Sequence, residues 1–402
     1  MAKLIHTRRW GAPAAALGAA AAVMTALAAG TAATAGTAAA APARSTAKPA
    51  AACQPAMTAG SGGFLAPFNK VCQLASTVPS LHGRGNGDVN PYGVAVVPRS
   101  VGTLQKGDVL VSNFNDVKNL QGTGTTIMQV SPRSHSASVF ANLAGQAKGP
   151  IGLTTALSAF RNGDVVVGSL PTTDGSAATA TAGALYVLNS TGKLIETIRG
   201  PRIDGPWDMT AYDGGQFGVL FVSNVLRGTV AANGKVVHRG DVVRLVLNFA
   251  KAPPVVEQQV VIASGLSEET NPSALVIGPT GLGLARNGTL YLADTVNSRI
   301  ASVPDALFRV SSDGKGHTVS SGGFLNAPLG LTVAPGGDVL SVNGGDGRIV
   351  ETTPAGRQIE WPSIDQSGSP PGAGALFGLA VVPSGKGVYF VDDATNMFDI
   401  FR

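Results

Sequence analysis

Groups able to do chemistry are sparse in this chain and fall at a few definite places. Asp208 follows Trp207 directly, putting a carboxylate beside an indole. Asn90, Asn113, Asn115, Asp116, Asn224 and Asp392 stand at or near the ends of short apolar runs, and Glu268-Glu269 lie within "SGLSEETNPSALVIGPTG". Oxygen donors of this kind, brought to one point, are what a hard divalent cation such as Ca²⁺ requires. Gly281-Leu-Gly283 invites a nucleotide-loop reading, but a dinucleotide fingerprint needs a strand, a glycine loop and then a helix, and no helical pattern follows. His6, His82, His135, His238 and His317 are scattered, and no H-x-x-x-H, H-E-x-x-H or G-x-S-x-G pattern occurs. The zinc-protease and serine-hydrolase signatures are therefore missing. Cys53 and Cys72 are the two cysteines. In an exported chain such a pair reads most simply as one disulfide, with two free thiols as the alternative. A Cys-ligated metal would need more nearby ligands than His82 supplies.

The N-terminus supports export. Lys3, Arg8 and Arg9 precede an Ala-rich apolar run, and Ala41-Pro-Ala43 fits a cleavage site, so residues 1–43 read as a secretory signal peptide. Thr7-Arg-Arg-Trp10 leaves the twin-arginine and general routes both open. Residues 44–63 read as a flexible Ala/Pro/Gly linker and 64–402 as the folded domain. The expected location is secreted or periplasmic, with no membrane contact beyond the export signal. The net charge of +5 is unevenly spread. No Asp or Glu precedes Asp88, and from there on 22 basic residues face 24 acidic ones. A nucleic-acid partner thus loses its electrostatic basis.

What must position these groups is a repeat. A glycine opens a β-rich run, a turn follows, and a second β-rich run ends in Asn or Asp. Copies start near Gly93, Gly152, Asp208, Gly281, Gly330 and Gly378, at intervals of 59, 56, 73, 49 and 48 residues. Asp208 stands where the other five copies have glycine. Asn162-Gly163, Asn287-Gly288 and Gly336-Gly337 are hairpin signals between apolar runs. Third strands are expected at "TIMQV", "GALYVL", "DVVRLVL", "ALFRV", "RIVET" and "MFDIF", and fourth strands at "SASVF", "KLIETI", "VEQQVVI", "HTVSS" and "RQIEW". Four strands per period of about 50 residues is the unit of a β-propeller blade. The sixth copy stops at its third strand, so "KVCQLAST" at 70–77 is expected to complete the last blade and close the ring. The fold class is all-β, a six-bladed propeller of four-stranded blades.

"GPTGLGLARNGTLYLADTVNSRI", with its P-x-G-[LV] start and D-x-x-N-x-R end, resembles an NHL repeat. The arrangement from about residue 70 to 402 is similar to the six-bladed propellers of the NHL and gluconolactonase-like families. That resemblance implies a divalent metal held by Glu, Asn and Asp on one face. Here no Glu opens an inner strand, and the nearest acids are Glu268 and Glu269. Peptidylglycine lyases share the fold but use a zinc–histidine site that these histidine spacings do not supply.

In such a blade the loop entering strand one and the loop joining strands two and three emerge on the same face. That face is expected to collect Asn90, Asn113, Asn115, Asp116, Trp207, Asp208, Asn224, Arg227 and Asp392. Asp208 is the best catalytic candidate, and a metal there would draw on Asp208, Asn90, Asn113 and Glu268. The two–three loops are long in blades one to three and short in the others, as on a binding surface. Arg227, Lys235, His238 and Arg239 give the third loop a basic edge suited to an anionic ligand. The chain thus reads as a monomeric, exported module that binds a small molecule or a protein on its loop-decorated face. The alternative is a divalent-metal-dependent lactonase or related hydrolase.

Overall fold

The computed structural model describes residues 53–60, 62–80 and 85–402. The expected signal peptide and the linker up to residue 52 lie outside the described residues. Six antiparallel sheets follow one another in chain order. The innermost strands are Val89–Val96, Leu153–Ala159, Pro206–Asp213, Pro279–Leu284, Pro328–Val333 and Leu376–Val381. They open blades 1 to 6. The molecule is a six-bladed β-propeller.

Alternation along each blade's second strand explains how the ring holds together. Val165 and Val167 face the core shared with blade 1, while Val166 faces the core shared with blade 3. Leu290 and Leu292 pack toward blade 3, and Tyr291 and Ala293 toward blade 5. A strand's period of two thus feeds two cores at once, which is why these runs are apolar at successive positions. The glycine anchors set the spacing at the axis. A Cβ on Gly330 would lie 1.9 Å from the Phe377 carbonyl, and one on Gly378 would lie 2.2 Å from that of Tyr92. Adjacent inner strands therefore touch backbone to backbone.

Lys70–Ser76 pairs antiparallel with Met397–Phe401 and completes blade 6, closing the ring as the truncated sixth repeat requires. Cys53–Pro55 adds a fifth strand outside it, with Cys53 opposite Cys72 and the two joined by a disulfide. The linker expectation is corrected from residue 53 onward. The segment is pinned because Gly62 N–H donates to Glu360 Oε1 (2.7 Å), while Phe64 and Leu65 N–H donate to the two oxygens of Glu351 (2.7 and 2.9 Å).

Two further expectations change. The third strand of blade 4 is Arg299–Val303 and not "ALFRV". The turn after Asp294 is short enough for the chain to pair at once, and Pro304 then ends the strand, leaving Phe308 82% exposed. In blade 3 the fourth strand runs on to Val255–Asn271 and turns back as a fifth, Leu275–Ile277. Residues 268–277 thus form a cap hairpin that, among the described residues, no other blade has.

Candidate binding face

The cap hairpin decides what the loop side of the ring can do. Leu275 is buried with Tyr92, Trp207, Leu329 and Phe377, each from a different inner strand. Tyr92 stacks on Phe377 at 3.9 Å and on Phe114 at 4.5 Å between ring centroids. Trp207 Nε1 donates to the Val276 carbonyl at 3.1 Å, so the indole meets both of its requirements, an apolar body and a satisfied N–H. Together these side chains close the loop-side mouth of the channel.

Asp208 lies beneath this plug and not at the mouth, which corrects its expected position. Its Oδ2 accepts from Leu282 N–H of the next inner strand at 2.8 Å. Where the other anchors allow backbone contact, here a side chain spans the gap. Burial, against hydrogen bonds from the Leu282 and Met209 backbones, pushes the carboxyl up to about 8. The channel below it, about 220 Å³, is lined by Val96, Ala211 and Ala380, the inner-strand residues nearest the tight turns.

The strand-end amides and carboxylates are engaged partly in their own turns and partly with neighbouring strands. Asn90, at φ 63°, donates its N–H to Asn396 Oδ1 (2.7 Å). Asn113 Nδ2 donates to the Thr77 carbonyl and to Thr126 Oγ1, and Asn115 Nδ2 to Asn119 Oδ1. Asp116 Oδ1 accepts from Lys118 and Leu120 N–H, and Asp392 Oδ1 from Thr395 N–H. The two aspartates make the ordinary Asx contact with their own turns, whereas the side-chain oxygens of Asn90, Asn113 and Asn115 are buried without a hydrogen-bond partner. Asn224 Nδ2 donates to Asp241 Oδ1. Glu268 does reach inward but into a separate cluster. It is fully buried at the base of the cap hairpin and pushed up to about 8, first by burial and then by Asp204. Arg227 Nε pairs with Asp204 (3.1 Å) and its NH1 with Asp241 (3.0 Å). His238 Nδ1 bonds Ser267 Oγ. The expected basic edge is thus partly spent within the blade. Asp208 lines the channel without Asn90, Asn113 or Glu268, which sits instead near Asp204 and Asp241, and among the described residues no three His, Cys, Asp or Glu side chains are grouped to hold a metal ion. Among the described residues, no Glu or Asn lines the channel beside Asp208, so the Glu, Asn and Asp set that the family resemblance implies is not assembled there.

The long loops instead build a cleft of about 340 Å³ beside the plug. Gln121 from blade 1, Gly175–Ala177 from blade 2 and Asn233-Gly234 from blade 3 line it with Thr270, Asn271, Pro272 and Leu275 of the cap hairpin. Gln121 Nε2 ties blade 1 to the hairpin through the Pro272 carbonyl at 2.9 Å. Asn271 Oδ1 accepts from Ser273 and Ala274 N–H and holds the hairpin turn. Amides, the hydroxyls of Ser176 and Thr270, and a few apolar side chains line the cleft, and no charged residue among the described residues does.

No protein-family model matches the chain, and no curated protein matches it. Among solved structures it is similar to a gluconolactonase from Xanthomonas campestris, with 13% identity, 88% of this chain and 97% of that one covered, and a TM-score of 0.55. A luciferin-regenerating enzyme matches at 12% identity over 78% of this chain and 91% of its own, with a TM-score of 0.50. At such identities the shared property is the fold, a six-bladed propeller like that of gluconolactonases.

Proposed function

We propose that this protein is an exported binding module that takes a neutral, hydrogen-bonding ligand in the cleft between its long loops and the cap hairpin. The carrying observation is the pairing of an uncharged cleft, lined by residues from three blades, with an aromatic plug that closes the channel mouth. Loops fixed on a rigid scaffold, with a few polar groups aimed into one concavity, are how folds of this kind hold ligands. Export is supported by the basic and apolar order of the N-terminus, and weakly by the Cys53–Cys72 disulfide.

The test is calorimetric titration of the mature protein with neutral oligosaccharides and with uncharged peptides, repeated on Ala177→Trp, which fills the cleft. The expected result is binding that is lost in the variant while its melting temperature is kept. Hydrolysis of a sugar lactone that depends on an added divalent ion and is lost in Asp208→Asn would replace this reading with the hydrolase one.

A further inference from the structure

The seam where the two chain ends meet holds a second feature, remote from the loop cleft. Blade 4 carries the repeat's internal ion pair in full. Asp294 lies directly opposite Arg299, and Arg299 Nε meets Asp294 Oδ2 at 2.9 Å. In blade 6 the equivalent carboxylate is Asp392, and the residue opposite is Met397. The blade has kept the acid and lost its guanidinium.

Two more carboxylates face the same space. Asp392, Asp399 and Asp365 line a cavity of about 580 Å³, walled by Gln54 and Gln73 of the closing strands and by Ser367. No Lys, Arg or His lines it, and none of the three acids forms an ion pair among the described residues. Asp365 is occupied by its own turn, accepting from Ser367 N–H (2.9 Å) and Oγ (2.8 Å). Asp399 is different. It is 2% exposed, and its Oδ1 is fully buried without a hydrogen-bond partner. A buried carboxylate oxygen without a donor is costly, and evolved interiors rarely keep one unless something completes it. The three acids are not grouped as metal ligands, and the cavity is of small-molecule size.

We infer that this seam cavity is a binding site for an organic cation, a guanidinium or primary ammonium group on a short chain, which supplies the charge that Met397 fails to provide. The donor geometry of such a group suits two or three carboxylates at once, through charge-assisted hydrogen bonds. Burial and the mutual repulsion of the acids hold Asp392 and Asp399 above the usual carboxylate range in the absence of the cation, to about 6 and about 8. Cation binding therefore releases protons near neutrality.

The experiment is isothermal titration of the full mature chain with agmatine, with putrescine, and with a blocked arginine tripeptide, using 1,4-butanediol as the uncharged control. Agmatine or the tripeptide binds and the diol does not. Tighter binding of agmatine assigns a free amine, and tighter binding of the tripeptide assigns a protein side chain. Asp399→Asn weakens binding by about tenfold or more, the scale of removing a buried charge partner. Should Asp399→Asn fail to fold, Met397→Arg serves alone, since it restores the blade-4 pair, fills the site from within and abolishes binding while keeping the fold. No heat with any of the cations, equal binding by the diol, or unchanged affinity in folded Met397→Arg would each overturn the assignment. So would displacement of agmatine by equimolar Ca²⁺.

Discussion

Asp208 shows how one exchange alters a repeat. Where five copies use glycine to let backbones touch, this carboxylate reaches across to Leu282 N–H and sits in the channel beneath Tyr92, Trp207 and Phe377. Its proton is held more tightly in the folded chain than in the unfolded one, because burial raises its pKa from the ordinary carboxylate range to about 8. The folded state therefore loses stability as pH rises through that interval. Asp208→Asn removes the titration while keeping the shape. The expected outcome is a variant whose stability relative to the parent improves between about pH 5 and about pH 9, measured by denaturant unfolding at both ends. A difference that does not change with pH would refute the account.

At the scale of elements, the N-terminal segment and the cap hairpin are the additions to a regular ring. Glu351 holds the first of these through the N–H groups of Phe64 and Leu65. Glu351→Ala should cost about 2 kcal/mol, the usual scale for hydrogen bonds to a charged group. It should also open residues 53–69 to protease while the blades stay intact, as limited proteolysis with mass mapping would detect. The elements differ in how far the sequence betrays them. The six hairpins, the closing strand at 70–76 and the disulfide partners could be read from periodicity, turn residues and an unpaired last blade. "ALFRV" misled because an apolar run after Pro304 has strand composition but nothing left to pair with. The cap hairpin went unread, although the 73-residue interval and the surplus run "ALVI" were its signal. The loop cleft was half legible: the three long loops marked a binding side, but the cap hairpin that completes it did not show. Its lining residues follow no sequence pattern, and only the folded chain brings Gln121, Asn233 and Asn271 together.

The whole molecule carries an unusual acid–base character. Asp208, Glu268 and Asp399 are held near 8, Asp393 near 7, and Asp241 and Asp392 near 6, in each case with burial as the largest cause. All are raised, so the sign is common to all: the folded chain binds more protons than the unfolded chain between about pH 4 and about pH 8. The melting temperature is expected to fall across that window, with the protein most stable on the acid side. Scanning calorimetry in buffers of matched ionic strength would show this, and a maximum near or above pH 8 would contradict it.

The closing strand has a consequence for how the ring is made. The Arg402 backbone exchanges hydrogen bonds with Lys70 on both sides, so the last residue of the sequence zips onto the start of the domain. A chain synthesised N-terminus first holds Lys70–Ser76 as a bare edge until Met397–Phe401 arrives. Blades 1 to 5 can form in turn, but the sixth waits for Met397–Phe401. During that wait, shielding of the first strand falls to chaperones, and loss of Met397–Phe401 would leave the wait permanent.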